Sequence, residues 1–135
     1  MDPLSEQQRS DLMRKIRSKG THPEEAVARI LRSMRYRFAT QDSFLPGTPD
    51  LVLVRHKVAV FVHGCFWHRH RCRKGRSMPS TRTAFWRKKL EGNKTRDAAN
   101  RRKLRRLGWD VLTIWECQIR DPDKLKQRLV RFLGN

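Results

Sequence analysis

The chain has 135 residues and carries 32 Lys and Arg against 13 Asp and Glu, which gives a formal net charge of +19. That length is typical of a single domain that can bury a modest core on its own. A charge this large opposes compaction by self-repulsion and indicates a polyanionic partner, with nucleic acid ahead of a membrane surface. A basic ribosomal or nucleoid protein without catalytic activity would show the same excess, so charge alone does not separate the two classes.

The length of the apolar runs and the number of cysteines indicate the cellular compartment of the protein. No apolar run approaches the roughly 20 residues of a membrane span, and the N-terminus lacks the apolar region of a signal peptide. We therefore expect a soluble, intracellular protein without membrane contacts. Three cysteines cannot all pair within one chain, and a reducing compartment keeps them as thiols, so metal binding or burial is their expected use.

The chain begins with a basic arm and a helix. Residues 1–20 are polar, with too thin an apolar stripe for a core helix, and we interpret them as a DNA-binding arm ahead of one domain over residues 21–135. Thr21 can cap a helix that has Pro23 in its first turn and Glu24 at the capping-box position. Apolar residues at helical spacing then predict a helix over about 22–34.

Strand signals follow this helix. A short strand is predicted over 36–40, and a turn over 45–49 comes after it. Two continuous β-branched runs, over 51–54 and 58–62, are typical of strands buried on both faces, and the polar residues between them predict a hairpin. Such a hairpin places Asp50, just before its first strand, beside His63 at the end of its second.

The C-terminal half completes the predicted fold. A short helix is expected over 83–90, a strongly basic helix over 93–107 closed by Gly108, a strand over 109–115, and a last helix from Asp121. The order helix, three strands, helix, strand, helix predicts a single α/β domain in which a central mixed sheet is flanked by helices.

The ten-residue segment from His63 to Cys72, where the hairpin ends, holds an unusual density of metal-binding groups. Within it Cys65, His70 and Cys72, joined by the distant Cys117, supply three sulfurs and one nitrogen, the donor set of a structural tetrahedral zinc site. The spacing matches no common finger pattern, and His68 could replace His70 as the nitrogen ligand. Buried thiols without a metal are the alternative, because free cysteine is among the most buried residue types.

A second, open metal site is predicted beside the first. The carboxylate of Asp50 and the backbone carbonyl of Val62 are oxygen ligands of the kind that Mg²⁺ prefers, and phosphodiester hydrolysis needs a metal to polarise the phosphate and activate water. His63 and His68 are the available acid–base groups, because an imidazole titrates near neutral pH. Glu24 could hold a metal-bound water, although capping explains it at least as well, and Asp50 could instead be a turn residue.

Aromatic side chains alternate with cations in two places. Phe66 and Trp67 adjoin the histidines, and Phe85 and Trp86 lie among basic residues. Such patterns are typical of surfaces that stack on bases or wedge between base pairs, although core packing is the usual fate of a tryptophan. Consecutive aromatics are hard to bury together, so we expect at least one of Phe66 and Trp67 to be exposed.

These features resemble a known family, the very short patch repair endonucleases, which are relatives of type II restriction enzymes. The resemblance covers nearly the whole chain, and its most specific part is the HGCFWH block of residues 63–68. The matching motifs are Thr21-x-Pro23-Glu24, Leu45-Pro46-Gly47-x-Pro49-Asp50, Phe61-x-His63-Gly64-Cys65-Phe66-Trp67-His68-x-His70-x-Cys72, Thr81-Arg82-x-x-Phe85-Trp86, and Gly108-Trp109-x-Val111 with Trp115-Glu116-Cys117.

The resemblance implies a restriction-endonuclease-like fold and a Mg²⁺-dependent reaction. The family nicks one strand of double-stranded DNA 5′ of the thymine in a T:G mismatch, which arises by deamination of 5-methylcytosine. From the resemblance we expect a monomer in the bacterial cytoplasm that is associated with the nucleoid and cooperates with mismatch-repair proteins.

The resemblance also assigns roles by position. Asp50 resembles the catalytic metal-binding aspartate and His68 the histidine that assists hydrolysis, while His63 and Glu24 resemble supporting residues. The residues that resemble the structural zinc ligands are Cys65, His70, Cys72 and Cys117. The residues that resemble an aromatic wedge beside the mismatch are Phe66, Trp67 and Trp86.

Some positions depart from related patterns. Phe61 and His63 stand where a restriction enzyme would have an acidic residue and a lysine, which favours the repair branch. Val62 replaces an expected hydroxyl residue, which is tolerable if only its carbonyl binds metal. Arg69 and Arg71 interrupt a histidine-rich run and could alter phosphate contacts.

The competing hypotheses are a zinc-stapled basic DNA-binding module without catalysis and a nuclease of other specificity. A pure DNA-binding module would have no need of His68 outside the zinc site together with Asp50, so this pair favours an enzyme.

Overall fold

The computed structural model describes residues 22–134, so the arm predicted for residues 1–20 lies outside the described residues. The helices and strands, in chain order, are α1 (His22–Ser33), β1 (Ala39–Thr40), β2 (Leu51–Leu53), β3 (Val58–His63), α2 (Arg73–Arg76), α3 (Thr83–Arg106), β4 (Asp110–Trp115) and α4 (Pro122–Leu133). The strands form one sheet in the order β1-β2-β3-β4. Pairing is antiparallel from β1 to β3 and parallel between β3 and β4, so the predicted mixed sheet is confirmed.

The central hairpin forms as predicted, because its two apolar runs are buried on both sides. Leu51 pairs with Val60 and Leu53 with Val58, and every residue of β2 and β3 is buried. The connection is a 3₁₀ turn over Val54–His56, and Lys57 closes it in the left-handed region at φ 52°.

Helices cover both faces of the sheet. On one face, α1 and α4 bury Val27, Leu31 and Leu129 against the strands. On the other face, Leu104 of α3 packs against the β3 residue Phe61. Two layers of helix on a mixed sheet explain why β3 reads as a continuous apolar run rather than an alternating one.

Helix α3 differs from the prediction. The sequence predicted separate helices over 83–90 and 93–107, whereas the structure has one helix of 24 residues. Gly92 lies between the two predicted helices and does not interrupt α3, because an interior glycine costs only about 1 kcal/mol relative to alanine. Burial of Leu90 and Leu104, both 0% exposed, on opposite sides of that glycine outweighs this cost.

The remaining boundaries agree closely with expectation. Gly108 adopts the positive φ of 89° expected just beyond α3, and Asp121 caps α4 by accepting from the Lys124 N–H at 3.2 Å. The first strand is the exception, because only Ala39 and Thr40 of the predicted 36–40 pair with β2. Within residues 22–134, no helix has both the length and the apolar character needed to cross a membrane.

Strand register sets the position of everything that follows. The parallel pairing of β3 with β4 runs from Val58–Asp110 to His63–Trp115. The two strands therefore end side by side, and the loop after His63 leaves the sheet next to Glu116 and Cys117. Because β2 is antiparallel to β3, Asp50 lies at this same edge.

Candidate active site

A cleft of about 720 Å³ opens at the edge of the sheet where β3 and β4 end. Six predicted side chains and the Val62 backbone reach it, from α1, the start of β2, the end of β3 and the following loop. The predicted site residues that line it are Glu24, Asp50, Val62, His63, Phe66, Trp67 and His68. The fold thus gathers residues up to 44 positions apart in sequence onto one surface.

Asp50 and Glu24 form a carboxylate pair on one side of this cleft. Asp50 accepts a hydrogen bond from the Val62 N–H at 2.7 Å through Oδ2, and the Gln41 amide nitrogen lies 3.5 Å from its Oδ1 and 3.2 Å from Glu24 Oε2. Burial raises the pKa of Asp50, against the opposing effects of the Val62 N–H and of hydrogen bonds with Glu24 and Gln41. Glu24 is 8% exposed and Asp50 is half-buried with a raised pKa, so a hard divalent cation beside these carboxyl groups would displace the proton of Asp50.

His63 and His68 form the other side of the cleft, together with Asp97. The imidazole rings stack with centroids 3.8 Å apart and planes 11° from parallel. His68 Nδ1 lies 2.5 Å from Asp97 Oδ2, and His63 Nε2 lies 3.9 Å from the same oxygen. The carboxylate keeps a hydrogen on His68 Nδ1 and leaves Nε2 as the nitrogen that can accept a proton.

Local backbone geometry explains this arrangement. The His68 N–H donates to the Gly64 carbonyl at 3.2 Å, and the His70 N–H donates to the Cys65 carbonyl at 3.0 Å. These bonds coil the loop, so His68 returns beside His63 while His70 returns towards Cys65. His68 and His70, although only two residues apart, therefore lie in different sites.

Asp97 is the residue that sequence analysis missed. It lies within α3, where the surrounding lysines and arginines suggested only a cationic surface. The available signal was its spacing, because Asn93, Asp97 and Asn100 recur at four and three residues and so share one helix face. That face lines the cleft, and the 3% exposed Asn93 donates to the Trp67 carbonyl at 3.1 Å.

The predicted cysteine and histidine ligands converge into a second group, here called the Cys/His cluster: Cys65, His70, Cys72 and Cys117. Their potential ligand atoms all lie within 4.8 Å of one another. Cys117 Sγ and His70 Nδ1 are 3.5 Å apart. In this geometry His70 lies in the Cys/His cluster, whereas His68 lies beside His63 and Asp97.

The thiols of this cluster differ in environment. Burial raises the pKa of Cys65 to about 12, whereas the Gly75 N–H lowers the pKa of Cys72 to about 6. Gly75 is required for this approach, because a Cβ there would lie 2.0 Å from the His70 carbonyl oxygen. Three sulfurs and one nitrogen in a closed, four-ligand arrangement fit a soft or borderline metal ion.

Glu116 joins the Cys/His cluster to the cleft. Its Oε1 accepts from the Cys65 N–H at 3.1 Å and from Lys74 Nζ at 3.0 Å, and both Glu116 and Lys74 line the cleft. Arg69 bonds within the loop, donating to the Ser77 carbonyl at 2.7 Å. The loop that carries the histidines is thus anchored at several points.

Three aromatic rings gather at the rim of the cleft. The ring centroids of Phe66, Trp67 and Trp86 are separated by 5.2 to 6.0 Å, and all three side chains are half-buried. Lys89 Nζ lies 5.9 Å from the Trp67 ring and 5.8 Å from the Trp86 ring. Both Phe66 and Trp67 therefore keep part of their surface exposed, beside a cation that can contact phosphate.

The mixed sheet, the cleft of carboxylates and histidines, and the cationic helix beside it together define an endonuclease. Residues 1–74 match the family model for the DNA mismatch endonuclease Vsr. The chain belongs to the Vsr family of DNA mismatch endonucleases.

Individual relatives agree with this assignment. The type II nicking enzyme V.XorIIP of Xanthomonas oryzae is 43% identical over 132 residues, covering 98% of this chain and 96% of that protein. The DNA mismatch endonuclease Vsr of Escherichia coli is 42% identical over 117 residues, covering 87% and 74%. Among solved structures, the catalytic domain of the homing endonuclease I-Bth0305I superposes with a TM-score of 0.58 at 25% identity, covering 83% of this chain and 93% of that one.

Proposed function

We propose that this protein nicks one DNA strand 5′ of the thymine in a T:G mismatch, the product of 5-methylcytosine deamination, and so starts very short patch repair. The observation that carries the proposal is the convergence of a carboxylate pair and a carboxylate-held histidine on one cleft, with an aromatic cluster at its rim. A protein that only bound DNA would gain nothing from burying these titratable groups together.

The carboxylate side of the cleft is the proposed Mg²⁺ site. Asp50 and the carbonyl of Val62 are the proposed ligands, and Glu24 positions a water of the ion's shell. When bound, Mg²⁺ polarises the scissile phosphate and lowers the pKa of a coordinated water. The chain's own contribution is a fixed carboxylate, because the Val62 N–H holds Asp50 Oδ2 at 2.7 Å.

The histidine side of the cleft is the proposed proton-transfer site. His68 Nε2 accepts a proton from the attacking water, and Asp97 stabilises the imidazolium that results. His63 supports this ring by stacking on it at 3.8 Å. Asp97 acts through His68 and is therefore a positioning residue.

The Cys/His cluster is the proposed structural zinc site. Closed sites with four protein ligands stabilise a fold and leave no position for substrate. This site would fasten the loop after β3 to the end of β4 and so hold His68 and the aromatic rings in place.

Recognition of the mismatch is assigned to the aromatic cluster. Phe66, Trp67 and Trp86 would enter the stack beside the T:G pair, which costs less to unstack than a matched pair and so favours a mismatched site. The basic arm of residues 1–20 and the basic surface of α3 would contact phosphates. In this proposal a monomer in the bacterial cytoplasm meets mismatched duplex DNA and then passes the nick to repair proteins.

The decisive experiment is a strand-specific nicking assay on end-labelled duplexes that are matched or carry one T:G mismatch with varied flanks. Wild-type protein with Mg²⁺ should nick only 5′ of the mismatched thymine, and Asp50→Ala should bind the same duplex without nicking it. Asp123→Asn, which removes an exposed carboxylate from α4, is the matched control and should keep full activity.

Three results would contradict parts of the proposal. Cleavage by Asp50→Ala would remove Asp50 from the active site. Binding without nicking on every duplex by the wild-type protein would support the DNA-binding module, and cleavage at another lesion would support a nuclease of other specificity.

A further inference from the structure

His63, His68 and Asp97 make a second metal-sized group of ligands. One ligand atom from each lies within 4.8 Å of the other two, and the group shares no residue with the Cys/His cluster. The side chains are 8%, 10% and 17% exposed, so all three are largely withdrawn from water. The same residues that would move a proton could therefore also hold a cation.

The donor atoms of this group favour a particular class of ion. Two imidazole nitrogens and one carboxylate oxygen suit borderline transition metals such as Zn²⁺, Co²⁺ and Ni²⁺. Mg²⁺ prefers oxygen ligands and keeps much of its water shell, so it competes poorly for such a group. The two sides of one cleft thus differ in the metals that they select.

Sharing one ion requires the His63 and His68 rings to turn out of their stack, because an imidazole binds a metal in the plane of its ring and these planes lie only 11° from parallel. Ligands about 2.0–2.2 Å from a tetrahedral ion are separated from one another by roughly 3.3 Å. The His68–Asp97 distance of 2.5 Å would lengthen and the His63–Asp97 distance of 3.9 Å would shorten, each by less than about 1 Å. The two cavities that His68 and Asp97 border leave space for a water as the fourth ligand.

We propose that His63, His68 and Asp97 form an inhibitory site for a borderline divalent transition metal, with Zn²⁺ as the reference ion. A metal on His68 Nδ1 replaces the proton that this atom shares with Asp97. A neutral imidazole bound through Nδ1 carries its hydrogen on Nε2, which then cannot accept a proton. The inhibitory part of the proposal rests on the proposed role of His68, whereas the binding part does not.

Metal binding is the first test and needs no nuclease activity. Protein already holding one zinc in the Cys/His cluster is titrated with Zn²⁺ by equilibrium dialysis, without Mg²⁺ or DNA. Wild type should take up one further zinc, and Asp50→Ala should do the same because it leaves the three ligands intact. Asp97→Asn and His63→Phe should each weaken the second site by about tenfold or more. Glu91→Gln, which alters an exposed acid of the same helix, is the matched control and should bind like wild type.

Cobalt distinguishes this site from the cluster of thiolates. Co²⁺ in the Cys/His cluster gives sulfur-to-metal charge-transfer absorption, whereas a second Co²⁺ on nitrogen and oxygen ligands adds only weak visible bands. Equal uptake of a second ion by wild type, Asp97→Asn and His63→Phe, with folding of each variant checked by circular dichroism, would overturn the site. So would a second ion that adds thiolate absorption.

Inhibition is the second test and separates the two proposals. Occupying the second site should stop wild-type nicking of a mismatched duplex while leaving DNA binding intact, and additional Mg²⁺ should not restore it. A chelator that is too weak to remove zinc from the Cys/His cluster should restore it. Full nicking with the second site occupied would overturn the inhibitory role, whereas failure to nick any duplex without added zinc would count against the proposed function alone.

Discussion

The Cys/His cluster and the candidate active-site cleft receive side chains from the same short loop, but the ligand set of the cluster is closed whereas the cleft is open. The cluster gathers four soft or borderline ligands around one point and has no ligand position to spare. The cleft spreads carboxylates and imidazoles along an open surface of about 720 Å³. A closed ligand set serves stability and an open one serves chemistry, and the coil of the loop allows both within ten residues.

Removing one ligand of the Cys/His cluster should have the largest effect on stability. Cys117→Ser removes the proposed ligand that follows β4, and we expect loss of the bound metal and destabilisation by several kcal/mol, because metal binding in such sites is coupled to folding. Metal content and thermal unfolding measure this result.

Chelation of the wild-type protein is the matching control, since it should lower the melting temperature to a similar extent. One tightly bound zinc per chain in Cys117→Ser would remove Cys117 from the ligand set.

Disturbing the open site should lower activity and spare the fold. Asp97→Asn keeps the size of the side chain but removes the charge that orients His68 and stabilises its imidazolium form. We expect kcat for nicking to fall about 100-fold with little change in KM, and the acidic limb of the pH–rate profile to shift. Single-turnover nicking across pH measures both quantities.

Glu91→Gln again supplies the control on the same helix and should leave the pH profile unchanged. An unaltered profile for Asp97→Asn would show that Asp97 has only a packing role.

The carboxylate pair predicts a pH-dependent effect on stability of intermediate size. The pKa of Asp50 is raised above its ordinary 3.8 by burial, so the folded protein holds this proton more tightly than the unfolded chain does. The stabilisation is therefore complete below pH 3.8 and is lost as pH rises through the folded-state pKa. Without Mg²⁺, Asp50→Asn should melt a few degrees above wild type at neutral pH and show a smaller difference near pH 4.

Differential scanning calorimetry at a series of pH values tests this prediction. If the stability difference between Asp50→Asn and wild type did not change with pH, burial would not destabilise the charged carboxylate of Asp50.

The smallest predicted effect lies away from both sites. Gly92 is in the middle of α3, and a Cβ there would meet only Arg96 Nη1 at 3.8 Å. Gly92→Ala should stabilise the protein by about 1 kcal/mol, because alanine has the higher helix propensity. Chemical denaturation of this variant beside Gly75→Ala, which should instead be strongly destabilised by contact with the His70 carbonyl, measures the contrast.

Sequence reasoning succeeded where local pattern determines structure. The β-branched runs of β2 and β3 are close in sequence, so their hairpin, and the location of Asp50 and His63 at one edge of the sheet, followed from short-range geometry. The convergence of Cys117 on Cys65 followed from one further inference, that the last strand joins the same sheet edge.

Other features depended on tertiary contacts. The position of Asp97 requires the rotation of α3 about its axis, which is set by burial of Leu104 on Phe61 of the sheet. The stacking of His63 on His68 depends on the coil of the loop, and the continuity of α3 through Gly92 depends on packing at both of its ends. None of these contacts is visible in residue spacing alone.

The Cys/His cluster can form only when β3 and β4 pair in the correct parallel register. His63 faces Trp115 only when the two strands pair correctly, and only then does Cys117 arrive beside the loop that carries Cys65. A strand that slips by one residue turns its side chains to the opposite face of the sheet and withdraws that thiolate. Under the proposed function, metal binding would therefore favour the one strand pairing that also aligns the candidate catalytic residues, and a misassembled molecule would hold no metal and would not nick DNA.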